Sequence, residues 1–493
     1  MVAWNQQAVK AGGRHMISME RERQNRHIGA LMKRFVDRTV AFYQKLPEQP
    51  VCPSPEEAVL RSLEERPIPE QGRAVDEVYE EMLREVYSNM TRTQHPRCFA
   101  CVPSTASMLS WMGDVMTNAY NPHASSQANA AAAAVIEKRL IAWMCSLAGY
   151  PQSSGGLFVS GGSMANLTAL TAARDAKLSW EERWNGTIYL TDQTHASVVK
   201  GLYIIGFREE QIRRIPVDQE FRMDVGALRH AVRRDAAEGR RPFAVIASAG
   251  TTNTGSVDPL AEIGMVCRQF DMWMHVDGAY GASALVSPRH RRELAGIELS
   301  DSLSWDAHKW LMQTYGCSVV LVRDRMQLVH SFAAHPEYLA DVEASPESVE
   351  FWDLGPELTR PARALKLWLT VQALGIQGMS RVIDHGCEMA QLTQKLIGSQ
   401  PGWEIVSSAK LGIVNFRYAP KGVAVETLDR LNQEISREVT ASGYAQILTT
   451  QLRGKRVLRM CTIHPDTTEQ DIRHTVEFLM GCRAVRDVDR RLA

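Results

Sequence analysis

Short apolar runs that stop abruptly at polar or glycine-rich turns dominate the chain from about Thr93 to Val322. The clearest are Leu157-Phe158-Val159, Thr187-Ile188-Tyr189-Leu190, Phe243-Ala244-Val245-Ile246, Trp273-Met274-His275-Val276 and Ser318-Val319-Val320-Leu321-Val322, most of them separated by helical spacing. Runs of this kind predict strands buried on both faces. Their alternation with helices predicts an α/β unit, a mainly parallel sheet flanked by helices. Ligands of such sheets lie beyond the carboxyl ends of the strands, so the residues after each run are where chemistry is expected.

The flanks read differently. Before Thr93, apolar residues recur at helical intervals in Ala30-Leu31-Arg34-Phe35-Val40 and Val75-Val78-Met82-Val86, with a proline-rich break from Leu46 to Pro55. Two helices joined by an extended arm fit this pattern. They make too little core to stand alone, so the arm is expected to pack on something else, such as a second subunit. Beyond Ala364 a helix-rich stretch leads to Glu404-Ile405-Val406, Gly412-Ile413-Val414-Asn415-Phe416 and Val457-Leu458-Arg459-Met460, which predicts a small α+β domain. The expected organisation is a helical arm over 1–92, a large domain over 93–368 and a small carboxyl-terminal domain over 369–493. No internal repeat is present, and Ala130 to Ala134 reads as the start of a good helix.

Composition narrows the class. With 56 basic and 56 acidic residues the 493-residue chain has no net charge, and a 45% hydrophobic fraction is ordinary for a globular protein. Nothing here gathers a polynucleotide or an anionic membrane, so neither is an expected partner. Met1 to Ile28 has no signal-like apolar core, and no segment approaches the roughly 20 apolar residues of a membrane span. A cytoplasmic location is expected. Nine cysteines scattered from Cys52 to Cys482 read as reduced thiols. The lone C-x-x-C pair, Cys98 and Cys101, has no second pair for zinc and reads as buried small side chains; no metal is expected.

Five run ends carry the candidate chemistry. Asp306-Ala307-His308-Lys309-Trp310 follows Ser302-Leu303-Ser304, placing a lysine at a strand end; alone it would be an ordinary surface lysine. Val276-Asp277-Gly278-Ala279-Tyr280 ends another apolar strand in a carboxylate, and a buried carboxylate needs a partner such as a pyridinium nitrogen. Ser160-Gly161-Gly162-Ser163 joins a strand to a helix start, where glycines allow close backbone approach and free N–H groups bind phosphate. Alone, it could be a plain turn with Ser163 as N-cap. It lacks the P-loop and dinucleotide spacings. Thr191-Asp192-Gln193-Thr194-His195 offers an imidazole that can lie flat on a ring, and Ser248-Ala249-Gly250-Thr251-Thr252 a hydroxyl for a phenolate. Together they describe a site for pyridoxal 5'-phosphate (PLP).

At these residues the chain resembles the group II PLP-dependent amino acid decarboxylases, over nearly its whole length apart from the first thirty or so residues. SGGSMAN, DQTHASV, AGTTNTGSVDP, HVDGAYGAS and DAHKW carry the resemblance. SWDAHKWLMQTYGC and ELTRPARALKLWLT are most similar to bacterial tryptophan decarboxylases. The resemblance implies the PLP-dependent transferase fold type I and a homodimer with active sites between subunits. It also implies Lys309 holding PLP through an imine, Asp277 keeping the pyridine nitrogen protonated, and His195 and Ala279 on the two ring faces. Thr252 would lie near the phenolic oxygen, with Gly162, Ser163 and His308 around the phosphate. Asp306 stands where the family often has asparagine, and a carboxylate near a phosphate is electrostatically awkward.

The activity implied is decarboxylation of an aromatic L-amino acid, with tryptophan giving tryptamine and CO2. Tyrosine, phenylalanine or dihydroxyphenylalanine are alternatives because apolar pockets discriminate poorly among rings of similar size. Phe99, His123 and Trp352 are the implied substrate-ring residues. By spacing back from Leu358-Thr359-Arg360, the family's proton-donating loop tyrosine falls at Phe351, which has no proton to give. The donor would then be His195, His123 or Tyr338, unless oxygen diverts the reaction to an aldehyde.

Overall fold

A computed structural model describes residues 2–102, 104–333 and 349–492 of the chain. They form two compact units: the chain up to Arg92 with Ala441–Gly443, and Thr93–Thr440 with the chain from Tyr444 onward. In the first, helices α1 (Val2–Gln44), α2 (Glu57–Glu65) and α3 (Val75–Glu81) replace the expected pair, α1 running 43 residues. Ion pairs from Arg34 and Arg38 to Asp76 and Glu80 tie α1 to α3. The proline-rich break becomes a short 3-10 turn at Leu46–Glu48. Val51 then donates its N–H to the Gly443 carbonyl at 2.7 Å.

The second unit opens with α4 (Met108–Tyr120) and α5 (Ala131–Leu147). The alternating part follows as β1 (Gly155–Val159), α6 (Gly162–Lys177), β2 (Gly186–Thr191), α7 (Ala196–Ile204), β3 (Ile212–Ile215), α8 (Val225–Ala237), β4 (Arg241–Ser248), α9 (Leu260–Gln269), β5 (Trp273–Asp277), β6 (Ser302–Asp306), β7 (Ser318–Val322) and α10 (Met326–Phe332). These strands make one seven-stranded sheet in the order β1-β7-β6-β5-β4-β2-β3. All neighbours are parallel except at β7, which runs against both β1 and β6. Every residue of β2, β5, β6 and β7 is buried, which makes β7 nearly continuous in apolar residues, whereas β6, Ser-Leu-Ser-Trp-Asp, buries two serines and Asp306 as well.

The unit continues with α11 (Ala364–Gly398), β8 (Trp403–Lys410), β9 (Ile413–Tyr418), α12 (Val425–Ala441), β10 (Leu448–Leu452), β11 (Lys455–Cys461), α13 (Glu469–Gly481) and α14 (Arg483–Leu492). Its antiparallel sheet, β10-β11-β9-β8, is the expected small α+β part. Residues 368 and 369, where a boundary was expected, lie inside α11; its helical geometry breaks instead at Gly375, whose φ is 65°. Among the described residues no helix is long and apolar enough to cross a membrane. Cys98 is buried as expected, but Cys101 is exposed, at a backbone φ of 54°.

A buried ion pair locks the frame. Arg360 and Glu137 meet at 2.6 Å, and the same guanidinium donates to the carbonyls of Ala124 and Phe158 at 3.0 and 2.7 Å. Phe158 returns its N–H to Glu137 Oε1 at 2.9 Å, so α5, β1 and the approach to α11 share one network. Arg360→Met strands Glu137 as an unpaired buried charge and is expected to remove about 3–5 kcal/mol of stability. A drop in the urea midpoint at unchanged slope checks this.

Candidate active site

The five run ends converge. After β1, Gly161 caps α6, and a Cβ placed on Gly162 would stand only 2.8 and 3.0 Å from the two Asp306 carboxylate oxygens. Only glycine allows strand, helix start and carboxylate to come this close. The unbonded N–H groups of the first turn, where Ser163 sits, form a seat for an anion. After β2, His195 is the N-cap of α7; its Nδ1 accepts from the Ser197 N–H at 3.3 Å and lies 2.8 Å from the Ser197 hydroxyl. After β4, Gly250 turns the chain at a φ of 92°, delivering Thr251 and Thr252.

Asp277 ends β5. Its Oδ1 accepts from Ala279 N–H at 3.1 Å and Ser304 Oγ at 3.2 Å, and its Oδ2 from Asn166 Nδ2 at 3.2 Å. All three donors are uncharged, so the carboxylate is held in place while its charge is left for a cation in the cavity. After β6, Lys309 Nζ lies 2.9 Å from Asp306 Oδ2. Burial alone would lower the Lys309 pKa, but the Asp306 and Asp277 carboxylates outweigh it and hold the ammonium above the ordinary lysine value. Burial lowers the His308 pKa against the pull of Asp306; its Nδ1 is 3.2 Å from Ser318 Oγ.

A cavity of about 370 Å³ lies between these groups. Gly162, Ser163, His195, Thr252, Asp277, Ala279, Asp306, His308 and Lys309 all line it. So do Asn166, Ser197 and Tyr315, which sequence reasoning passed over. Asn166 was detectable, being a polar residue beside Ala165, Ala169 and Ala173 on the buried face of α6.

The three residues expected around a substrate ring do not line this cavity. Phe99 is buried in the core of the small sheet, its backbone bonded to Gln446 and Cys461. Trp352 is buried in a short 3-10 helix, Phe351–Leu354, and His123 Nε2 lies 3.4 Å from the Thr359 hydroxyl. Phe351 is no loop residue either. Its ring sits 4.9 Å beneath the Arg360 guanidinium, inside the main core, because Glu350 and Asp353 cap its helix and Arg360 is anchored. Tyr338 lies outside the described residues.

The cavity fits PLP. It offers a helix start for a phosphate, a carboxylate with no charged donor for a pyridinium, and a lysine amine for the aldehyde. Asp306 Oδ1, buried in its wall, has no hydrogen-bond partner. Fold and site define a PLP-dependent carboxy-lyase of fold type I. The chain belongs to the pyridoxal-dependent decarboxylases, whose conserved-domain model matches residues 56–419. It is 38% identical over 454 residues to an aromatic-L-amino-acid decarboxylase of Bacillus atrophaeus, covering 92% of this chain and 94% of that one. The crystal structure of Oryza sativa TDC with PLP and tryptamine superposes with a TM-score of 0.88 at 28% identity, covering 94% and 98% of the two chains. That of Rhodiola rosea 4-hydroxyphenylacetaldehyde synthase gives 0.86 at 27%, with the same coverage.

The Asp306–Lys309 contact makes a pH prediction. A protonated amine cannot attack an aldehyde, so capture of PLP by cofactor-free enzyme should quicken as pH rises toward the elevated Lys309 pKa. Asp306→Asn removes the main influence raising that pKa and shifts the half-maximal pH of borohydride-fixable capture downward. An unchanged midpoint would show that the ion pair does not govern the amine.

Proposed function

We propose that this enzyme converts tryptophan to tryptamine and CO2. The observation that carries the reading is Lys309 and Asp277 facing one cavity beside the α6 anion seat. Similarity to a TDC crystallised with tryptamine and to an aromatic-L-amino-acid decarboxylase supports the indole substrate. PLP supplies the electron sink that lets the bond to the substrate carboxylate break. Lys309 tethers it. Asp277 would hold the proton on the pyridine nitrogen, a preorganised charge made more effective by its burial. His195 and Ala279 would flank the ring, Thr252 would serve the phenolic oxygen, and Gly162, Ser163 and His308 would seat the phosphate.

The proton that Cα needs would come from His195 in its imidazolium form, the cavity imidazole that we place beside the ring, which returns to the neutral state on giving it up. We read the working unit as a cytoplasmic homodimer. Met108, Met112, Met116 and Tyr120 form an exposed apolar stripe along α4 at four-residue spacing, which suits a partner surface. Nine free cysteines suit a reducing compartment.

The test offers the purified protein aromatic and acidic amino acids and identifies both products by mass. Tryptamine with CO2 is expected. Preference for another amino acid would overturn the substrate. Aldehyde, ammonia and peroxide would instead place the chain with the synthases that it also resembles.

A further inference from the structure

A continuous chain of hydrogen bonds runs behind the cavity. Trp273 Nε1 donates to Ser302 Oγ at 2.8 Å, and Ser302 Oγ is 2.8 Å from His275 Nδ1. His275 Nε2 is 3.0 Å from Asn166 Oδ1, while Asn166 Nδ2 reaches both Asp277 Oδ2 and Ser197 Oγ at 3.2 Å. Ser197 Oγ completes the chain at His195 Nδ1, 2.8 Å away. Asn166, His275 and Ser302 are all buried.

The direction of every bond follows from what each group can do. The indole N–H only donates. Ser302 therefore accepts from Trp273 and spends its own proton on His275 Nδ1. The amide of Asn166 must turn its NH2 toward Asp277, because a carbonyl oxygen there would face a carboxylate. Its oxygen then accepts from His275, whose proton must sit on Nε2. The second amide hydrogen points at Ser197 Oγ, which accepts it and donates to His195 Nδ1, where the Ser197 backbone N–H also donates at 3.3 Å. Neutral His195 is thereby left with its proton on Nε2, the nitrogen that the Ser197 contact leaves free.

We infer that Asn166 is a positioning residue: its one carboxamide holds the Asp277 carboxylate and, through the Ser197 hydroxyl, reinforces the His195 tautomer that the Ser197 backbone N–H also favours. His275 behind it fixes the orientation of the amide. Deep burial, which pushes the His275 pKa down to about 4, keeps that imidazole neutral across the working range, so the direction of the chain does not reverse with pH. The charged groups around His275 are few: Asp277 raises its pKa but burial prevails. The inference rests on the PLP reading of the cavity and assigns each proton in it to a stated atom.

The test uses holoenzyme labelled with 15N in histidine. In the native protein the His195 resonances should report the Nε2–H tautomer. Asn166→Ala and Ser197→Ala leave only the Ser197 backbone N–H on Nδ1, so both should weaken the preference for the Nε2–H tautomer measurably and alter the cofactor absorption band, with kcat falling about 10–100-fold, the scale at which outer groups act through those they orient. His275→Gln keeps an N–H donor for the amide and should retain the native tautomer, whereas His275→Ala should not. Native-like His195 signals and spectrum in Asn166→Ala would overturn the inference. Borohydride fixation of PLP to Lys309 is followed in each variant. Its loss in the native protein itself would instead sink the PLP reading.

Discussion

Lys309→Ala is expected to lose PLP on gel filtration, to yield no borohydride-fixed cofactor and to lower kcat by more than about 10³-fold, as when a covalent group that acts as part of a unit is removed. The Nζ of Lys309 is the amine that reaches from β6 into the cavity, and Asp306 orients it at 2.9 Å. Alanine also strands the buried Asp306 carboxylate, so instability could imitate a chemical defect. Lys309→Arg separates the two. A guanidinium keeps the charge beside Asp306, and with it the fold, but stays protonated and forms no imine with an aldehyde. Both variants should therefore fail to fix cofactor, and the arginine variant should melt near the native temperature. Fixation persisting in either variant would mean that another lysine carries PLP.

The strand ends are legible because burial on both faces favours apolar residues along most runs, and because chemistry-bearing side chains then stand out where each run stops. Lys309, Asp277 and His195 are visible for that reason. Elements exposed on one side gave no such signal. Strand β3, Ile-Arg-Arg-Ile, lies at the edge of the sheet and carries two arginines between its buried ends, so it reads as charged surface. Strand β10, Leu-Thr-Thr-Gln-Leu, is an edge strand with only Leu452 buried. In α1 the apolar positions are too sparse to mark where the helix starts, and 43 residues of helix emerge where the spacing supported a short segment.

The aromatic residues show the opposite problem. Phe99 and Trp352 were placed by a substrate ring and landed in cores, because an apolar cavity wall and an apolar core ask the same thing of a side chain. Sequence position does not distinguish the two demands; direction does, and direction is set by neighbours far away in the chain, such as Gln446 and Cys461 for Phe99. Phe351, the position that spacing matches to the loop tyrosine, likewise lies buried, at the start of a short 3-10 helix. Arg360, the residue from which the count was taken, holds the Phe351 ring beneath its own guanidinium. Asn166 stands out on its helix face, but its role does not: it joins α6 to β5 and α7, three elements whose meeting no local pattern announces.

Asp277→Asn is the variant that separates electron withdrawal from tethering. It leaves Lys309 untouched, so borohydride should still fix PLP to the protein, yet kcat should fall about 10²–10³-fold, the range for removing one preorganised charge from a dry site. The substitution is nearly isosteric, but it is not electrically or directionally neutral. Ala279 N–H and Ser304 Oγ can still be accepted by the remaining oxygen, while the new NH2 faces the NH2 of Asn166 across the former 3.2 Å contact. Two donors cannot bond each other, so the Asn166 amide must flip or withdraw, and a flip presents its NH2 to His275 Nε2. His275 can adapt only by moving its proton to Nδ1, against the Ser302 hydroxyl, which must then give up donating to it. The loss therefore has two parts, a missing counter-charge and a disturbed amide, and Asp277→Glu tests the balance: it restores the charge but crowds an extra methylene between Ala279, Ser304 and Asn166. Recovery of kcat in the glutamate variant, with the absorption band returning toward native, is expected if charge dominates; a kcat within about threefold of native in Asp277→Asn would mean that the pyridine nitrogen is not paired here at all.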